Sequence, residues 1–272
     1  MSRTVLVTGG NSGIGLATAI ELARRGFHSV ASVRSAAKAA IVSKAADEAN
    51  VSIETVLLDV TDAAACEEVV GAVGPLYGLV NNAGYGGTGA VEDVSDEEAR
   101  HMLETMVIAP ARLARLALPG MRAEGGGRVV NVSSIYGLTT TPLSGWYQAS
   151  KHALEALSDA LRMEVAADRV HVVLVEPGGF DTGIWEGVDR SVDERSDSRY
   201  AAAYRRSASS TRLSKRLMGD PSRVARVIAQ ALRSRSPSAR YLVGQDAQAL
   251  ALVERLAPTA LKDRISRLIL GL

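Results

Sequence analysis

The sequence has one cysteine and no pair of histidines at metal-ligand spacing. Cys66 cannot form an internal disulfide, and no cysteine or histidine stands near it at ligand spacing, so we expect a small core filler. The four histidines, His28, His101, His152 and His171, lack His-x-x-x-His spacing. Because zinc sites usually combine several such ligands at short intervals, we predict no metal centre.

Long apolar runs are also absent. No run approaches the eighteen or so residues that a membrane span needs. The first residues lack the basic segment and apolar stretch of a secretion signal. We therefore expect a cytoplasmic protein without a membrane span. The 272 residues are 47% hydrophobic and 22% charged, which is typical of a globular protein, and we expect one domain over residues 1–272.

A formal net charge of +1 hides an uneven distribution. Residues 199–272 carry fifteen Lys or Arg and four Asp or Glu, which leaves sixteen basic and twenty-six acidic residues in 1–198. The favoured interpretation is that the two parts neutralise each other on one surface. The alternative is an electropositive approach for an acidic substrate or an acidic carrier protein. We predict no nucleic-acid partner.

Apolar, β-branched segments alternate with helical patterns through the first 180 residues. Nearly continuous apolar runs are typical of parallel strands that are buried on both faces. The predicted strands are residues 4–8, 29–33, 55–59, 78–82, 128–133, 170–176 and 240–244. Their alternation with helices predicts right-handed crossovers and a doubly wound parallel sheet.

Three helical patterns matter for the site. The first covers 14–25 and ends at Gly26, the second covers 95–121, and the third covers 145–167. Residues 183–218 interrupt the alternation, because they are rich in Ser, Arg and Asp and contain no clear strand. We interpret 183–218 as an inserted substrate lid at the carboxyl edge of the sheet; the alternative is a surface excursion without a role.

A glycine-rich turn follows the first strand directly. Glycines allow a tight turn and a close approach of backbone to pyrophosphate, whose charge the following helix N-terminus stabilises. The strand before the turn and the helix after it are the context that a dinucleotide site requires. The predicted phosphate-binding residues are Gly9, Asn11, Ser12, Gly13, Ile14 and Gly15.

Arg34 stands near the end of the second predicted strand, where NAD-binding sites usually place an acid for the ribose hydroxyl. A guanidinium can instead bind a 2′-phosphate, and no carboxylate there repels it. We therefore favour NADP(H) over NAD(H), although an exposed arginine at a strand end is also common surface decoration.

Tyr147 and Lys151 share one face of the third predicted helix, since they are four residues apart. The ammonium can act on the proton affinity of the phenol, so Tyr147 is a candidate proton donor. Taken alone, the pair could also be an aromatic side chain packed under a lysine stem.

Six motifs in this order resemble the short-chain dehydrogenase/reductase family, over residues 3–182 and more weakly to 246. The motifs are Thr8-Gly9-x-x-x-Gly13-x-Gly15, Asp59-Val60, Asn81-Asn82-Ala83-Gly84, Ser134, Tyr147-x-x-x-Lys151 and Pro177-Gly178-x-x-x-Thr182. The resemblance implies a single Rossmann-type sheet of about seven strands. It also implies a homodimer or homotetramer.

The resemblance implies roles for the remaining cofactor-binding residues. Asp59 and Val60 are expected to hold the adenine. The segment from Asn81 to Gly84, which includes Asn82 and Ala83, is expected to stabilise the central strand beside the cofactor. The residues expected to face the nicotinamide amide are Pro177, Gly178 and Thr182.

The implied reaction is hydride transfer between a nicotinamide and a ketone or aldehyde, or the matching alcohol. Tyr147 is expected to donate the proton, and Ser134 to hydrogen-bond the carbonyl oxygen. Lys151, together with the oxidised nicotinamide ring, is expected to lower the phenol pKa, and Lys151 is also expected to hold the nicotinamide ribose. The thirteen-residue spacing to Tyr147 selects Ser134 over Ser133.

One position departs from the family pattern. Many members carry an asparagine that supports a water leading protons to the lysine, and this chain has Met106 there. Efficient proton exchange is therefore in doubt, unless Met106 is ordinary core packing. An alternative function is a non-catalytic NADP(H)-binding sensor or scaffold. An epimerase or dehydratase would usually need more than the 90 residues that follow Thr182.

The substrate is expected to be hydrophobic, such as a steroid-, polyketide- or retinoid-like carbonyl. Residues after the motifs predict a mostly apolar pocket wall. These are Tyr85, Leu138, Leu143, Trp146, Phe180 and Trp185. Segments 220–225 and 240–244 resemble, more weakly, the subgroup that acts on hydroxysteroids and retinols. The amphipathic residues 260–272 are expected to be a helix packed on its own domain rather than a membrane-surface anchor.

Overall fold

A computed structural model describes residues 3–185, 192, 194–215 and 218–272, and its strands form one parallel sheet. The strands are β1 (Thr4–Val7), β2 (His28–Val33), β3 (Glu54–Leu57), β4 (Gly78–Asn81), β5 (Gly127–Val132), β6 (Val170–Pro177) and β7 (Arg240–Val243). Their order across the sheet is β3-β2-β1-β4-β5-β6-β7. The predicted Rossmann-type doubly wound sheet is therefore confirmed.

Helices flank this sheet on both faces. They are α1 (Gly13–Arg24), α2 (Ala36–Ala49), α3 (Ala63–Val73), α4 (Asp96–Leu103), α5 (Ala109–Ala123), α6 (Gly145–Glu164), α7 (Ala201–Ser214), α8 (Pro221–Arg233), α9 (Gln245–Leu256) and α10 (Thr259–Leu270). Short 3₁₀ turns cover Val91–Asp93, Ile135–Gly137, Ala166–Asp168 and Gly183–Trp185.

Side-chain caps fix several helix starts. Ser35 accepts a hydrogen bond from Lys38 N, and Asp62 accepts one from Ala65 N. Ser95 and Glu98 form a reciprocal capping box at the start of α4. These side chains satisfy amide groups that have no acceptor inside their own helix, which is why the helices begin there.

Alternate residues of each strand pack on opposite faces of the sheet. Leu6 and Val129 face a core closed by α3 and α5. Val5 and Val130 face a second core closed by α1 and α8. Cys66 is fully buried in the first core, and burial raises the pKa of its thiol. It is the small core filler that the sequence predicts.

The helix predicted over 95–121 is interrupted. A π-helical segment, Glu104–Ile108, lies between α4 and α5 and contains the buried Met106. Apolar periodicity misses such a segment, because one extra residue per turn barely changes which side chains face the core.

The segment predicted as a lid, 183–218, lies in part outside the described residues. Its described part includes α7, which is held against the turn before α4. Tyr204 Oη donates to Asp93 Oδ2 at 2.7 Å and accepts from Ala90 N at 2.6 Å. Ser198 Oγ donates to the same carboxylate at 2.6 Å. Whether 183–218 acts as a lid remains a prediction.

The C-terminal helix α10 packs loosely. It contacts α7, and Arg206 Nη1 donates to Leu270 O at 3.1 Å. No residue of α10 is buried, however, and the side chains of Leu261 and Leu268 are 49% and 72% exposed. Among the described residues, no helix combines the length and apolarity that crossing a membrane requires.

Leu232 of α8 tests the second core. The residue is fully buried against the sheet. We expect Leu232→Ala to lower the free energy of unfolding by about 2–5 kcal/mol, because it removes buried methyl groups and leaves a cavity. Urea unfolding measures the change, and Leu213→Ala is the control, because Leu213 is 79% exposed. Equal effects of the two substitutions would contradict this packing.

Candidate active site

A cavity of about 1100 Å³ opens beyond the carboxyl ends of β1 and β4. At this point the strand order reverses, and doubly wound sheets bind their ligands there. Most of the sequence-predicted site residues lie on the cavity wall: Gly9, Asn11, Ser12, Gly13, Ile14, Gly15, Arg34, Asp59, Val60, Ala83, Gly84, Tyr147 and Thr182. The wall does not include Asn81, Ser134, Lys151, Pro177 or Gly178.

The glycine turn between β1 and α1 leaves no room for side chains. Gly9 has φ +66°, in the left-handed region. A Cβ on Gly15 would lie 2.2 Å from the carbonyl oxygen of Gly9, and a Cβ on Gly13 would lie 3.1 Å from Thr182 Cγ2. The turn therefore lets a ligand approach the backbone closely.

The first turn of α1 lies on the cavity wall. Ser12 precedes it in extended conformation, and its side chain makes no capping hydrogen bond within the described residues. The first amide groups of a helix have no intrahelical acceptor, and the helix dipole favours an anion beside them. This end of the cavity therefore fits a pyrophosphate.

Thr8 ties the glycine turn to the end of β4. Its Oγ1 accepts hydrogen bonds from Asn82 N and Ala83 N, both at 2.9 Å, and lies 3.3 Å from Val80 O. Asn82 Nδ2 in turn donates to Thr8 O at 2.9 Å. Asn82 belongs to the motif from Asn81 to Gly84 that the sequence analysis places beside the central strand, and here it joins that strand end to the glycine turn.

The cavity wall beyond β2 carries two cations. Arg34 follows β2 and is exposed, and Lys38 lies one turn into α2. Sequence reasoning missed Lys38, although it stands four residues after Arg34. Together they offer two positive charges to a phosphate on an adenosine ribose.

Asp59 stays ionised beside these cations. Burial raises the pKa of its carboxyl, but hydrogen bonds from Thr61 and the nearby Arg34 and His101 outweigh burial and hold the pKa below its ordinary value. Thr61 N and Oγ1 donate to Asp59 Oδ1 at 3.0 and 2.7 Å. The carboxylate is thus fixed as a hydrogen-bond acceptor at the cavity edge.

Asn81 lies behind the wall, and its hydrogen bonds connect four elements. Its Nδ2 donates to Asn131 Oδ1 at 2.8 Å and to Pro110 O at 3.2 Å, and Asn131 Nδ2 donates to Ser158 Oγ at 2.8 Å. These bonds join β4, β5, α5 and α6. Asn81 therefore braces the central strands, as the family resemblance implies for this segment.

Pro177 and Gly178 also lie off the wall. Pro177 ends β6, and Gly178 N donates to Val243 O at 2.9 Å. A Cβ on Gly178 would lie 2.2 Å from Asp246 Oδ2. This segment is packed against α9, whereas Thr182 reaches the glycine turn.

Ser134, Tyr147 and Lys151 come together where β5 ends and α6 begins. Ser134 starts the 3₁₀ turn after β5, and its side chain hydrogen-bonds the Tyr147 phenol. Lys151 is 6% exposed, and its Nζ donates to Val132 O at 3.0 Å and lies 5.8 Å from the centre of the Tyr147 ring. The three side chains therefore form one cluster.

Burial controls the protonation of this cluster. It raises the pKa of the Tyr147 phenol to about 12, although the Ser134 hydrogen bond acts to lower it. It also lowers the pKa of Lys151 to about 8, while Glu155 acts to raise it. In this structure burial decides the direction of the phenol pKa, and the lowering expected from Lys151 together with the oxidised nicotinamide ring stays a prediction. Tyr147 keeps its proton at neutral pH.

Met106 packs against the same region. It is 1% exposed, and its Sδ lies 4.0 Å from Ser150 Oγ. A Cβ on Gly84 would lie 3.4 Å from this sulfur. Met106 thus fills space behind the cavity wall, in agreement with the interpretation as ordinary core packing.

The substrate end of the cavity is more polar than the sequence suggests. Tyr85 and Trp146 lie on the wall, but Leu143 is buried in a cluster with Ala203 and Tyr204 of α7, and Phe180 is buried in the second core. The expected apolar wall is therefore wrong in part. Sequence reasoning missed the charged residues that line this end, which are Glu97, Glu98, His101, Glu194 and Arg195.

Arg195 is the most enclosed of these charges. Its side chain is 12% exposed, and Nη2 donates to Glu98 Oε1 at 3.0 Å. His101 stacks on Tyr85 with ring centres 5.7 Å apart. No group of three or more His, Cys, Asp or Glu within the described residues could hold a metal ion.

Comparisons with known proteins match this geometry. The profile of a family described as short chain dehydrogenase matches residues 3–193. The chain is 36% identical over 264 residues to the uncharacterized oxidoreductase YusZ of Bacillus subtilis, with 94% of each chain covered. It is 30% identical over 273 residues to the NADPH-dependent 3-dehydrocapnine reductase of Ornithobacterium rhinotracheale, with 97% of this chain and 95% of the relative covered.

A solved structure has the same fold. The crystal structure of an actinorhodin polyketide ketoreductase variant with NADPH superposes with a TM-score of 0.77 at 29% sequence identity. The match covers 89% of this chain and 95% of that chain.

Thr8 provides a test of the glycine turn. Thr8→Val keeps the side-chain shape and removes the hydroxyl that holds the end of β4. We expect NADPH to bind about tenfold more weakly, because a lost hydrogen bond of this kind is worth about 1 kcal/mol or more. Fluorescence titration with NADPH measures the affinity. Thr4→Val, at the outer end of the same strand, is the control, and unchanged affinity in Thr8→Val would contradict the role of the hydroxyl.

Proposed function

Because the chain belongs to the short-chain dehydrogenase/reductase family, we propose that it interconverts a ketone or aldehyde with the corresponding alcohol and uses NADP(H). The observation that carries the proposal is the Ser134, Tyr147 and Lys151 cluster beside the cavity. A protein that only bound a dinucleotide would need no proton donor there.

The residues of the cavity fit a dinucleotide. The glycine turn and the first turn of α1 would hold the pyrophosphate, and Arg34 with Lys38 would hold a 2′-phosphate. When bound, NADPH supplies the hydride. The names of the 3-dehydrocapnine reductase and of the polyketide ketoreductase structure mention NADPH, which supports the choice of NADP(H).

Tyr147 and Ser134 would act on the substrate oxygen. In the direction of reduction, the neutral phenol of Tyr147 donates its proton to the oxygen on which charge develops. Ser134 donates a hydrogen bond to the same oxygen, so the negative charge that develops there is stabilised by a donor that is already oriented. Since burial raises the pKa of Tyr147 to about 12, the phenol carries this proton across the physiological range.

The Lys151 ammonium would stabilise charge on the Tyr147 phenol. The ammonium is enclosed beside Tyr147 and anchored to Val132 O, so it stabilises negative charge that develops on the phenol as the proton leaves. With a pKa near 8, the ammonium is charged at neutral pH and loses its charge above that.

For the substrate we propose a hydrophobic carbonyl compound. Tyr85, Trp146 and Met102 provide apolar surface on the wall. The names of a reductase of 3-dehydrocapnine and of a polyketide ketoreductase among the similar proteins support a carbonyl substrate. The charged residues around Arg195 would contact a polar part of it.

Tyr147→Phe tests the proton donor. We expect turnover to fall at least about a hundredfold, because general acid catalysis contributes roughly 10²–10⁴-fold, while NADPH affinity changes little. NADPH absorbance against a panel of hydrophobic ketones measures turnover. Tyr136→Phe, which removes the neighbouring phenol 6.3 Å away between ring centres, is the matched control. Retained turnover in Tyr147→Phe would refute its role.

Arg34→Asp tests the choice of cofactor. The exchange replaces a guanidinium with a repelling carboxylate, so we expect NADPH affinity to fall at least tenfold and NADH affinity to change much less. Titration with each dinucleotide gives the ratio. Lys44→Asp makes the same charge change on an exposed position of α2. If both variants keep the same NADPH preference, Arg34 does not bind the phosphate.

A further inference from the structure

Two buried glutamates lie behind the catalytic cluster, and the mechanism above does not use them. Glu155 is 5% exposed and lies one helical turn after Lys151 on α6. Glu176 is fully buried near the end of β6. The two carboxyls lie within hydrogen-bonding reach of each other. We call them the carboxyl pair.

The two members of the carboxyl pair share one close cation. Arg240 of β7 is shared: Nη2 lies 3.1 Å from Glu155 Oε2, and Nε lies 3.6 Å from Glu176 Oε1. The same guanidinium also donates two hydrogen bonds to Asp159, which Arg162 contacts as well at 2.9 Å. Two ionised glutamates side by side and out of water, with one guanidinium in contact with both, are strongly unfavourable.

Hydrogen-bond donors are scarce around the carboxyl pair. The Ser133 hydroxyl acts on Glu155 and favours its charged form. Among the described residues, no N–H or O–H group donates a hydrogen bond to either oxygen of Glu176. A buried carboxylate without donors is costly. One proton held between the pair removes one charge and supplies the missing donor, since the protonated carboxyl can donate to the other.

The contacts indicate which glutamate carries that proton. Glu155 is the closer to Arg240 and also faces the Lys151 ammonium, so both cations favour the charged form of Glu155. Glu176 is more deeply buried and has the longer contact. The charged groups that face the pair are Lys151 and Asp159 of α6 and Arg240 of β7.

We propose that Glu176 holds the proton of the carboxyl pair, and that the charge left on Glu155 keeps the Lys151 ammonium protonated beside Tyr147. Glu155 and Glu176 are then positioning residues for the active site, and this inference rests on the function proposed above. Glu155 acts directly on Lys151. Glu176 acts through Glu155, by donating a hydrogen bond to its carboxylate without adding a second charge.

The pKa directions agree with this arrangement. Burial and then Glu155 raise the pKa of Glu176 to about 8, so Glu176 is neutral at pH 7. Burial lowers the pKa of Lys151 to about 8, and Glu155 opposes that change. Removal of the Glu155 charge must therefore lower the Lys151 pKa further, and the ammonium would be lost at a lower pH.

The test is an NMR titration of Lys151 in the full chain. The sequence has five lysines, Lys38, Lys44, Lys151, Lys215 and Lys262, so ¹³C labelling of lysine gives few resonances, and Lys151→Arg assigns the one of interest. We expect Glu155→Gln to lower the Lys151 midpoint by about one pH unit. The control is Asp159→Asn, which removes another carboxylate that contacts the Arg240 guanidinium. The Lys151 midpoint should stay in place in this variant. An unchanged midpoint in Glu155→Gln overturns the proposal.

Glu176→Gln tests where the proton resides. The amide is neutral and can donate a hydrogen bond, so it imitates a protonated Glu176, and we expect the Lys151 midpoint to stay near the wild-type value. A fall equal to that in Glu155→Gln would mean that Glu176 carries charge, and would overturn this placement. Glu155→Met removes the charge with a side chain of similar length, and replaces Glu155→Gln if that variant does not fold.

Kinetics separate this inference from the proposed function. With a carbonyl substrate, the alkaline limb of the kcat profile should move to lower pH in Glu155→Gln, in step with the NMR midpoint. If the alkaline limb of the kcat profile stays in place while the NMR midpoint of Lys151 moves, the positioning role is overturned. If no carbonyl is turned over and the midpoint still moves, the charge relation between Glu155 and Lys151 is supported and the proposed function fails.

Discussion

The hydroxyl of Thr8 holds together the two strand ends from which the cavity is built. Thr8 closes β1, and its Oγ1 accepts the amides of Asn82 and Ala83 just beyond β4. The strand order reverses between these two strands, so no third strand fills the gap at their carboxyl ends. The hydrogen bonds across that gap set the position of the glycine turn, and the turn sets the position of α1. The end of the cavity that we propose for the pyrophosphate depends on this contact.

Burial dominates the chemistry of the other end. Lys151 is buried and Tyr147 lies half-buried beside it on the cavity wall, and loss of water moves the pKa values of Tyr147 and Lys151 to about 12 and about 8. A phenol that keeps its proton and a lysine that is only just charged at neutral pH are suited to different tasks, donation and electrostatic support. The lysine is then sensitive to any further charge in its surroundings. This sensitivity gives a buried acid on the same helix, Glu155, a direct influence on the site.

Much of the fold followed from local patterns. Buried strands were recognised by their continuous apolar runs, and the alternation of strands and helices implied one parallel sheet. The π-helical segment around Met106 was missed, because its apolar residues keep almost the same spacing as those of an α-helix. The charged residues near Arg195 were missed because they come from α4 and from the segment before α7, which are far apart in sequence.

The sequence by itself determined the family, the alternation of strands and helices, and the residues of the glycine-rich turn. Each of these follows from a short local pattern. Only the tertiary structure decided the protonation of Tyr147 and Lys151, since a pKa depends on burial. Likewise, only the fold shows that Glu155 and Glu176 share one guanidinium from β7. The sequence shows which ionisable side chains the chain has and how they are spaced. The packing of distant segments decides how far each of them is exposed to water and which charges surround it.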